Sequence, residues 1–160
     1  MAFARRHAEF QALNTEVLGL SIDSIFSHLA WVQTIKEKFG VDIPFPIIDD
    51  ISMKVAHAYG MVHPGASDTS AVRAVFVIDD KSILRAMIYY RLSNGRSIDE
   101  ILRLLEALQT SDTHGVATPE NWKKGDKVIV PPPKTQADAD ARKASGDADC
   151  VDWFFCQKSL

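Results

Sequence analysis

Residues 72–90 contain two apolar runs separated by a short polar turn, and this pattern restricts the chain to folds that include an antiparallel hairpin. The first run, VRAVFVID, covers residues 72–79, and the second, ILRAMIYY, covers residues 83–90. The Asp80-Lys81 pair between them is typical of a turn that reverses the chain between paired strands. We therefore predict two neighbouring antiparallel strands, the first of them buried.

The segments that precede the hairpin alternate between helical and strand-like patterns, which is typical of an α/β domain. EVLGLSID (16–23) is short and nearly continuously apolar, as expected for a buried parallel strand. The segment PFPIIDD (44–50) is predicted to be extended, because a helix interior does not accommodate its two prolines. Helices are predicted at residues 2–14, from Ser24 or Ser27 to Phe39 with Gly40 as a left-handed stop, and at residues 52–59.

A capping box predicts the start of a long helix after the hairpin. Ser97 supplies a hydroxyl at the N-cap position, and Glu100 follows three residues later. The segment that follows carries an apolar stripe at helical spacing, formed by Ile98, Ile101, Leu102, Leu105 and Leu108.

The composition changes after Gln109, where proline, glycine, lysine and aspartate become frequent. The triple proline at 131–133 favours extended polyproline geometry, and Thr135 can cap a short helix up to residue 145. We therefore predict a core of residues 1–109, followed by an extended C-terminal arm of residues 110–160.

Composition and charge exclude several classes of partner. The chain has 160 residues and a formal net charge of −3, which gives no electrostatic reason to expect nucleic acid or an anionic membrane as a partner. No apolar run approaches the roughly 18 residues that span a bilayer, and the N-terminus is too polar for a secretory signal. We therefore predict a cytoplasmic protein without membrane contact.

Both cysteines of the sequence, Cys150 and Cys156, lie near its end and enclose three large aromatic residues, Trp153, Phe154 and Phe155. Their spacing does not fit a zinc knuckle, and no second pair completes four ligands. Three interpretations remain: two inert thiols in an aromatic plug, a mobile thiol that attacks an oxidised sulfur elsewhere, and a redox pair that forms a disulfide. A purely structural bridge is disfavoured in a reducing compartment.

Arg73 and Arg96 are the candidate cations. Arg73 starts an otherwise apolar strand, so it either reaches solvent or stabilises an anion such as a thiolate. Arg96 precedes the capping box and has the same two interpretations. His28 beside the helical stripe is interpreted as a packed helix residue.

Other catalytic and cofactor motifs are missing from the sequence. His63, Asp68 and Ser70 suggest a hydrolase triad, but the sequence lacks the G-x-S-x-G pattern of a nucleophile elbow. It also lacks phosphate-loop and dinucleotide fingerprints, so no cofactor is expected.

Together, FARRHAEFQALNTEVLGLSIDSIFSHLAWVQTI, PFPIIDD, VRAVFVIDDKSILRAMIYY, GRSIDEILRLLEALQ, VIVPPP and CVDWFFC resemble the peroxiredoxins. The resemblance is to the long-tailed, one-cysteine-like branch that includes archaeal thioredoxin peroxidases. It implies a thioredoxin-like α/β fold with an extended C-terminal arm. Family members carry the peroxidatic cysteine in a proline-threonine-cysteine motif ahead of the matched stretch. The resemblance therefore implies an N-terminally truncated chain that lacks this cysteine and the first strands of the fold.

The resemblance also implies a function, which is reduction of hydrogen peroxide or alkyl hydroperoxides by a thiol. Arg73 would activate the peroxidatic thiolate, and Arg96 would support it. Cys156 matches the resolving position, and Cys150 is its neighbour. Expected partners are a thioredoxin-like or other thiol reductant and further copies of the chain, which pair through the ILRAMIYY strand into dimers and decamers. No metal or cofactor is implied.

A second hypothesis remains open, that of a non-catalytic, holdase-like subunit that joins longer peroxiredoxin rings. A chain that lacks a central strand would expose unpaired backbone groups and apolar surface. We therefore expect this chain to be poorly soluble alone, or to have the open sheet edge filled by another segment.

Overall fold

The computed structural model describes residues 1–62, 73–146 and 149–160, and it divides into two compact units. Unit 1 covers Met1–Ile98 and unit 2 covers Asp99–Leu160. In the described part of the chain, no helix is long and apolar enough to cross a bilayer.

Two short helices, α1 (Ala2–Arg5) and α2 (His7–Ala12), begin unit 1. The prediction of one continuous helix over residues 2–14 is wrong, because the backbone leaves helical geometry at Arg6, where φ is −112°. Phe3 and Phe10 pack on each other in this segment: the ring of Phe10 is buried and lies 5.6 Å from that of Phe3, measured between ring centroids.

Strand β1 (Gly19–Ser21) pairs in parallel with β2 (Ile47–Asp49). The parallel direction predicted for the 16–23 segment is confirmed, but β1 is half-buried rather than buried. Helix α3 (Ile25–Phe39) connects the two strands, as a parallel pair requires. The Ser24 hydroxyl caps α3 by accepting from the N–H of Ser27 at 3.2 Å, and Gly40 ends the helix with φ at +63°.

Asp50 directly follows β2 and is buried. Its carboxylate accepts the backbone N–H groups of Val55 at 3.1 Å and Ala56 at 2.7 Å, at the start of helix α4 (Lys54–Ala58). A negative side chain at a helix N-terminus satisfies donors that lack partners inside the helix. Asp50 therefore fixes α4 against the end of β2.

The predicted hairpin is present as β3 (Arg73–Ile78) and β4 (Leu84–Tyr90), but β3 is mostly half-buried rather than buried. Asp79 organises the turn: its carboxylate accepts the N–H groups of Lys81 and Ile83, both at 2.9 Å, and a guanidinium N–H of Arg85 at 3.2 Å. The bond from Ile83 is the largest of the effects that lower the pKa of Asp79 below its usual range.

Helix α5 (Ile98–His114) starts at the boundary between the units and confirms the predicted long helix. Within unit 2 it is followed by β5 (Val128–Val130), helix α6 (Gln136–Ala144), β6 (Cys150–Asp152) and β7 (Phe155–Lys158). Thr135 caps α6 as predicted, because its hydroxyl accepts the N–H of Asp138. A buried apolar cluster stabilises the unit and contains Ala107, Val116, Trp122 and Val128.

The three strands of unit 2 form one antiparallel sheet in the order β5-β7-β6. Cys156 on the central strand β7 lies opposite Val130 on one side and Cys150 on the other. The two cysteines form a disulfide, with their Cα atoms 4.0 Å apart. Two separate, inert thiols are therefore the wrong interpretation of the tail.

Replacing Asp79 with asparagine is expected to destabilise unit 1 at neutral pH, because the charged carboxylate holds the β3–β4 turn. Since the pKa of Asp79 is lowered in the folded state, its contribution is present above the pKa of the unfolded chain, about 4, and is lost as the pH falls through the lower folded value. Urea unfolding of both proteins at several pH values measures the difference. A stability difference that grows on acidification would contradict this role.

Reduction of the disulfide is expected to lower the free energy of unfolding of unit 2 by about 2 kcal/mol, the value for closing so short a loop. Thermal unfolding followed by tryptophan fluorescence, with and without dithiothreitol, measures this effect. In the Cys150→Ser variant, dithiothreitol should leave the melting temperature unchanged. Equal melting temperatures of oxidised and reduced wild-type protein would exclude a stabilising bridge.

Candidate functional site

Arg73 lies at the first position of β3, where its Cα pairs with that of Tyr90 on β4. The side chain is half-buried, and its Nη1 donates to the backbone carbonyl of Asn94 at 3.2 Å. Asn94 lies in the loop that follows β4. The guanidinium is therefore attached to this loop at a solvent-accessible position.

Arg96 lies in the same loop, next to the start of α5. Partial burial of its guanidinium lowers the pKa of Arg96, and the positive charge of Arg73 lowers it further, while Tyr90 acts in the opposite direction. Part of the side chain remains exposed, and arginine stays protonated at neutral pH. Arg73 and Arg96 are therefore two cations within electrostatic range of each other, which we call the arginine pair.

Tyr90 completes this end of the hairpin, because its hydroxyl accepts the backbone N–H of Ser97 at 3.4 Å. Two like charges repel each other, so an anion between or beside them would be stabilised by both. The sequence prediction named both arginines, and the structure brings them together in unit 1. Their role in catalysis stays a prediction.

The disulfide hairpin, β6 and β7 with the Cys150–Cys156 bond, is the second candidate, and it lies in unit 2. Cys156 is 3% exposed, whereas Cys150 is half-buried. A disulfide that joins the two oxidised sulfurs stores two oxidising equivalents, which a thiolate can remove by exchange. The hairpin can therefore cycle between a dithiol and a disulfide.

Trp153 and Phe154 form the turn of this hairpin and Phe155 begins β7, so the three aromatic residues do not act as one buried plug. The rings of Trp153 and Phe154 meet edge to face with centroids 5.6 Å apart. Phe154 is 54% exposed, and Trp153 and Phe155 are half-buried.

Three charged residues that support the hairpin were not predicted from the sequence. Arg142 on α6 donates to backbone carbonyls at the turn and after β5, and Lys127 forms an ion pair with Asp149, which precedes Cys150. Their sequence context is ordinary for a polar surface, so no pattern distinguishes them. Only the folded neighbourhood shows what they contact.

His28 is buried in α3, as interpreted from the sequence, and its Nε2 lies 2.7 Å from the hydroxyl of Ser21. That hydroxyl also donates to the carboxylate of Asp23 at 2.8 Å. Serine thus lies between the histidine and the aspartate, which joins α3 to β1 and differs from the order of a hydrolase triad. His63, Asp68 and Ser70 lie outside the described residues.

Across residues 1–62, 73–146 and 149–160, no group of three or more histidine, cysteine, aspartate or glutamate side chains is arranged to hold a metal ion.

Two family models match this chain. Residues 1–87 match the AhpC/TSA family, and residues 107–146 match the C-terminal domain of 1-Cys peroxiredoxin. The first match contains β1 to β3 and the start of β4, and the second contains the C-terminal part of α5, β5 and α6.

Similar proteins match over nearly the whole chain. A peroxiredoxin of Aquifex aeolicus is 54% identical over 170 residues, covering 100% of this chain and 76% of the relative. One of Archaeoglobus fulgidus is 49% identical over 167 residues, covering 100% of this chain and 77% of the relative.

Solved structures of peroxiredoxins share the fold. A yeast mitochondrial 1-Cys peroxiredoxin is 36% identical with a TM-score of 0.85, and the match covers 99% of this chain and 77% of that one. A cysteine-to-serine mutant of peroxiredoxin 6 from Arenicola marina is 29% identical with a TM-score of 0.82, over 99% of this chain and 76% of the other. The thioredoxin-like α/β fold expected from the sequence is confirmed, and the chain belongs to the peroxiredoxin family of thiol peroxidases.

Proposed function

We propose that this chain takes part in the reduction of hydrogen peroxide and alkyl hydroperoxides, with Cys150 and Cys156 as the resolving pair. The observation that carries this proposal is the disulfide between them in a peroxiredoxin-family chain. A pair of thiols that closes a disulfide can accept the two oxidising equivalents that a peroxide delivers.

The first step is carried out by a peroxidatic thiolate outside residues 1–160. The thiolate attacks the peroxide O–O bond, takes one oxygen to become a sulfenic acid, and releases the second oxygen as an alcohol or water after proton uptake. A peroxidatic cysteine outside these residues is supported by a comparison of lengths, since this chain covers 76% of the Aquifex aeolicus protein. Support also comes from the cysteine count. The sequence contains two cysteines, and both are used in the Cys150–Cys156 disulfide.

The second step transfers the oxidation to the tail. The thiol of Cys156 condenses with the sulfenic acid, releases water and forms a disulfide with the peroxidatic cysteine. Cys150 then attacks the sulfur of Cys156, which restores the peroxidatic thiol and leaves the Cys150–Cys156 bond. Since the cysteines are opposite each other in the β6–β7 pairing, this exchange needs little chain movement.

The arginine pair stabilises the negative charge that is present or develops in the first step. A guanidinium beside a thiol favours the thiolate and lowers its pKa, and it also stabilises negative charge that develops on the peroxide oxygen. Arg73 is the primary cation, since it is anchored to Asn94, and Arg96 adds a second charge.

An external thiol reductant completes the cycle by opening the Cys150–Cys156 disulfide. A thioredoxin-type dithiol fits the chemistry, because it can attack one sulfur and then release itself as an intramolecular disulfide. The yeast mitochondrial relative resolves its thiol through glutathione and thioredoxin systems, which supports this class of partner. Cys150 is the more exposed of the two sulfur-bearing residues and is the point of entry.

Homo-oligomer formation through β4 is also part of the proposal. Three apolar side chains on this strand are exposed, Leu84 at 43%, Met87 at 56% and Tyr89 at 41%. In the described residues β4 pairs with β3 alone, and the proposal places a second β4 along its other edge. Unpaired edges with apolar side chains favour association with another strand.

The chain alone is expected to show no thiol-dependent peroxide turnover above background. A fusion that adds the N-terminal segment of the Aquifex aeolicus relative should consume hydrogen peroxide in the presence of thioredoxin, thioredoxin reductase and NADPH. Comparable turnover by the unextended chain would contradict an external peroxidatic cysteine. An inactive but folded fusion that co-purifies with the full-length relative would instead support the holdase-like subunit.

In the active fusion, Arg73→Met is expected to lower kcat/KM by about a hundredfold, the size of effect seen when one preorganised charge donor is removed. Arg96→Met should have a smaller effect in the same direction. Arg91→Met removes one exposed cation from the same loop and serves as the matched control. If all three variants lose activity equally, the effect is one of net charge and the specific role of Arg73 is wrong.

Substituting Met87 with lysine is expected to convert a dimer or larger assembly into monomers, because it puts a charge on the apolar face of β4. Size-exclusion chromatography with light scattering measures the mass. Thr113→Lys, at an exposed position near the end of α5, adds the same charge elsewhere and should leave the assembly unchanged. A wild-type protein that is monomeric at high concentration would exclude the interface.

A further inference from the structure

Arg142 lies in the last turn of α6 and reaches two backbone carbonyls with one nitrogen. Its Nη1 donates to the carbonyl of Pro131 at 3.0 Å and to that of Trp153 at 3.3 Å. Hydrogen bonds from a charged donor are stronger than those between neutral groups. One guanidinium therefore connects three parts of unit 2.

The two carbonyls belong to two different parts of the sheet in unit 2. Pro131 directly follows β5, and Trp153 is the first residue of the turn between β6 and β7. At the start of this turn, the backbone N–H of Trp153 donates to Asp152 Oδ1 at 2.7 Å. Arg142 thus ties the closed end of the disulfide hairpin to the neighbouring strand and to α6.

The open end of the hairpin has its own attachment. Lys127, just before β5, pairs with Asp149, just before Cys150, and the Asp149 carbonyl accepts the N–H of Gln157 at 2.9 Å. The hairpin is therefore held at both ends by contacts that do not involve sulfur.

These contacts matter most when the disulfide is absent. An isolated two-stranded hairpin is at best marginally stable in water, and β6 is only 3 residues long. After reduction, covalent closure no longer holds the turn in place. Whether the two thiols stay opposite each other then depends on β5 and on the noncovalent ties of the hairpin.

We propose that Arg142 is a positioning residue for the Cys150–Cys156 couple, holding the turn so that the reduced thiols remain opposed. This role rests on the proposed function in that it takes the pair to be redox-active. By keeping the thiols close, Arg142 raises their effective concentration toward each other. It thereby favours the disulfide relative to the dithiol.

The reaction that Arg142 influences is thiol–disulfide exchange. Two molecules of reduced glutathione open the Cys150–Cys156 bond, giving two protein thiols and one molecule of oxidised glutathione, and the reverse reaction closes it. Arg142 is chemically unchanged in both directions. Its effect appears in the equilibrium constant of this exchange.

The test is a redox titration of the full chain in glutathione buffers of known composition, quenched by acid and read by thiol alkylation and mass spectrometry. Arg142→Met should shift the equilibrium about tenfold toward the dithiol, equivalent to about 30 mV for a two-electron couple. Lys143→Met removes the same charge from the adjacent, exposed position of α6 and should stay within twofold of wild type. Equal constants for both variants and wild type would overturn the proposal.

A second variant separates positioning from folding. If Arg142→Met unfolds unit 2, as judged by the fluorescence of buried Trp122, Arg142→Lys is used, because it keeps the charge but shortens the reach to the two carbonyls. A shift of several-fold toward the dithiol, in a folded protein, supports positioning, and a wild-type constant excludes it. The titration involves no peroxide, so failure of the peroxidase assay and failure of this proposal give different results.

Discussion

Backbone pairing of β7 with both of its neighbours is the interaction on which unit 2 depends. Because β7 is central, Cys156 is buried between Val130 and Cys150, and the sulfur chemistry of the tail takes place inside a sheet rather than on a loose end. The sheet is in turn anchored by Val128, which is completely buried in the cluster with Trp122. The disulfide thus belongs to a folded element with its own apolar support, and its ends are fixed by Arg142 and Lys127.

Unit 1 concentrates its charge chemistry at one end of the β3–β4 hairpin. Since β3 begins with arginine and its partner position on β4 is tyrosine, the strand register alone brings Arg73 to the loop that contains Asn94 and Arg96. The opposite end of the same hairpin is organised by a carboxylate, Asp79. The hairpin therefore has two arginines at one end, where an anion would be stabilised, and a carboxylate that holds the turn at the other end.

Sequence patterns predicted the elements whose signals are local. The caps at Ser24, Gly40 and Thr135 are set by residues within a few positions of the helix ends, and the antiparallel hairpin follows from two apolar runs around a turn. The break at Arg6 was not predicted, because the apolar spacing continues across it. The sheet of unit 2 was also missed, since β5 and β6 are 3 residues each and β5 pairs with β7, which follows only after α6 and β6. For the candidate sites, both arginines and both cysteines were named from the sequence and their catalytic roles stay predictions, whereas the supporting contacts of Arg142 and Lys127 arise only from tertiary proximity.

The covalent bond at the end of the chain also has a reciprocal consequence. If closing the bond between positions 150 and 156 strengthens the packing of unit 2, thermodynamic linkage requires that this packing strengthen the bond by the same free energy. Any event that loosens the cluster around Trp122, whether heat, a truncated core side chain or a partner that pulls on the sheet, would therefore make the sulfur pair easier to reduce. The oxidation state of the tail would then report on the integrity of an apolar cluster that contains neither cysteine.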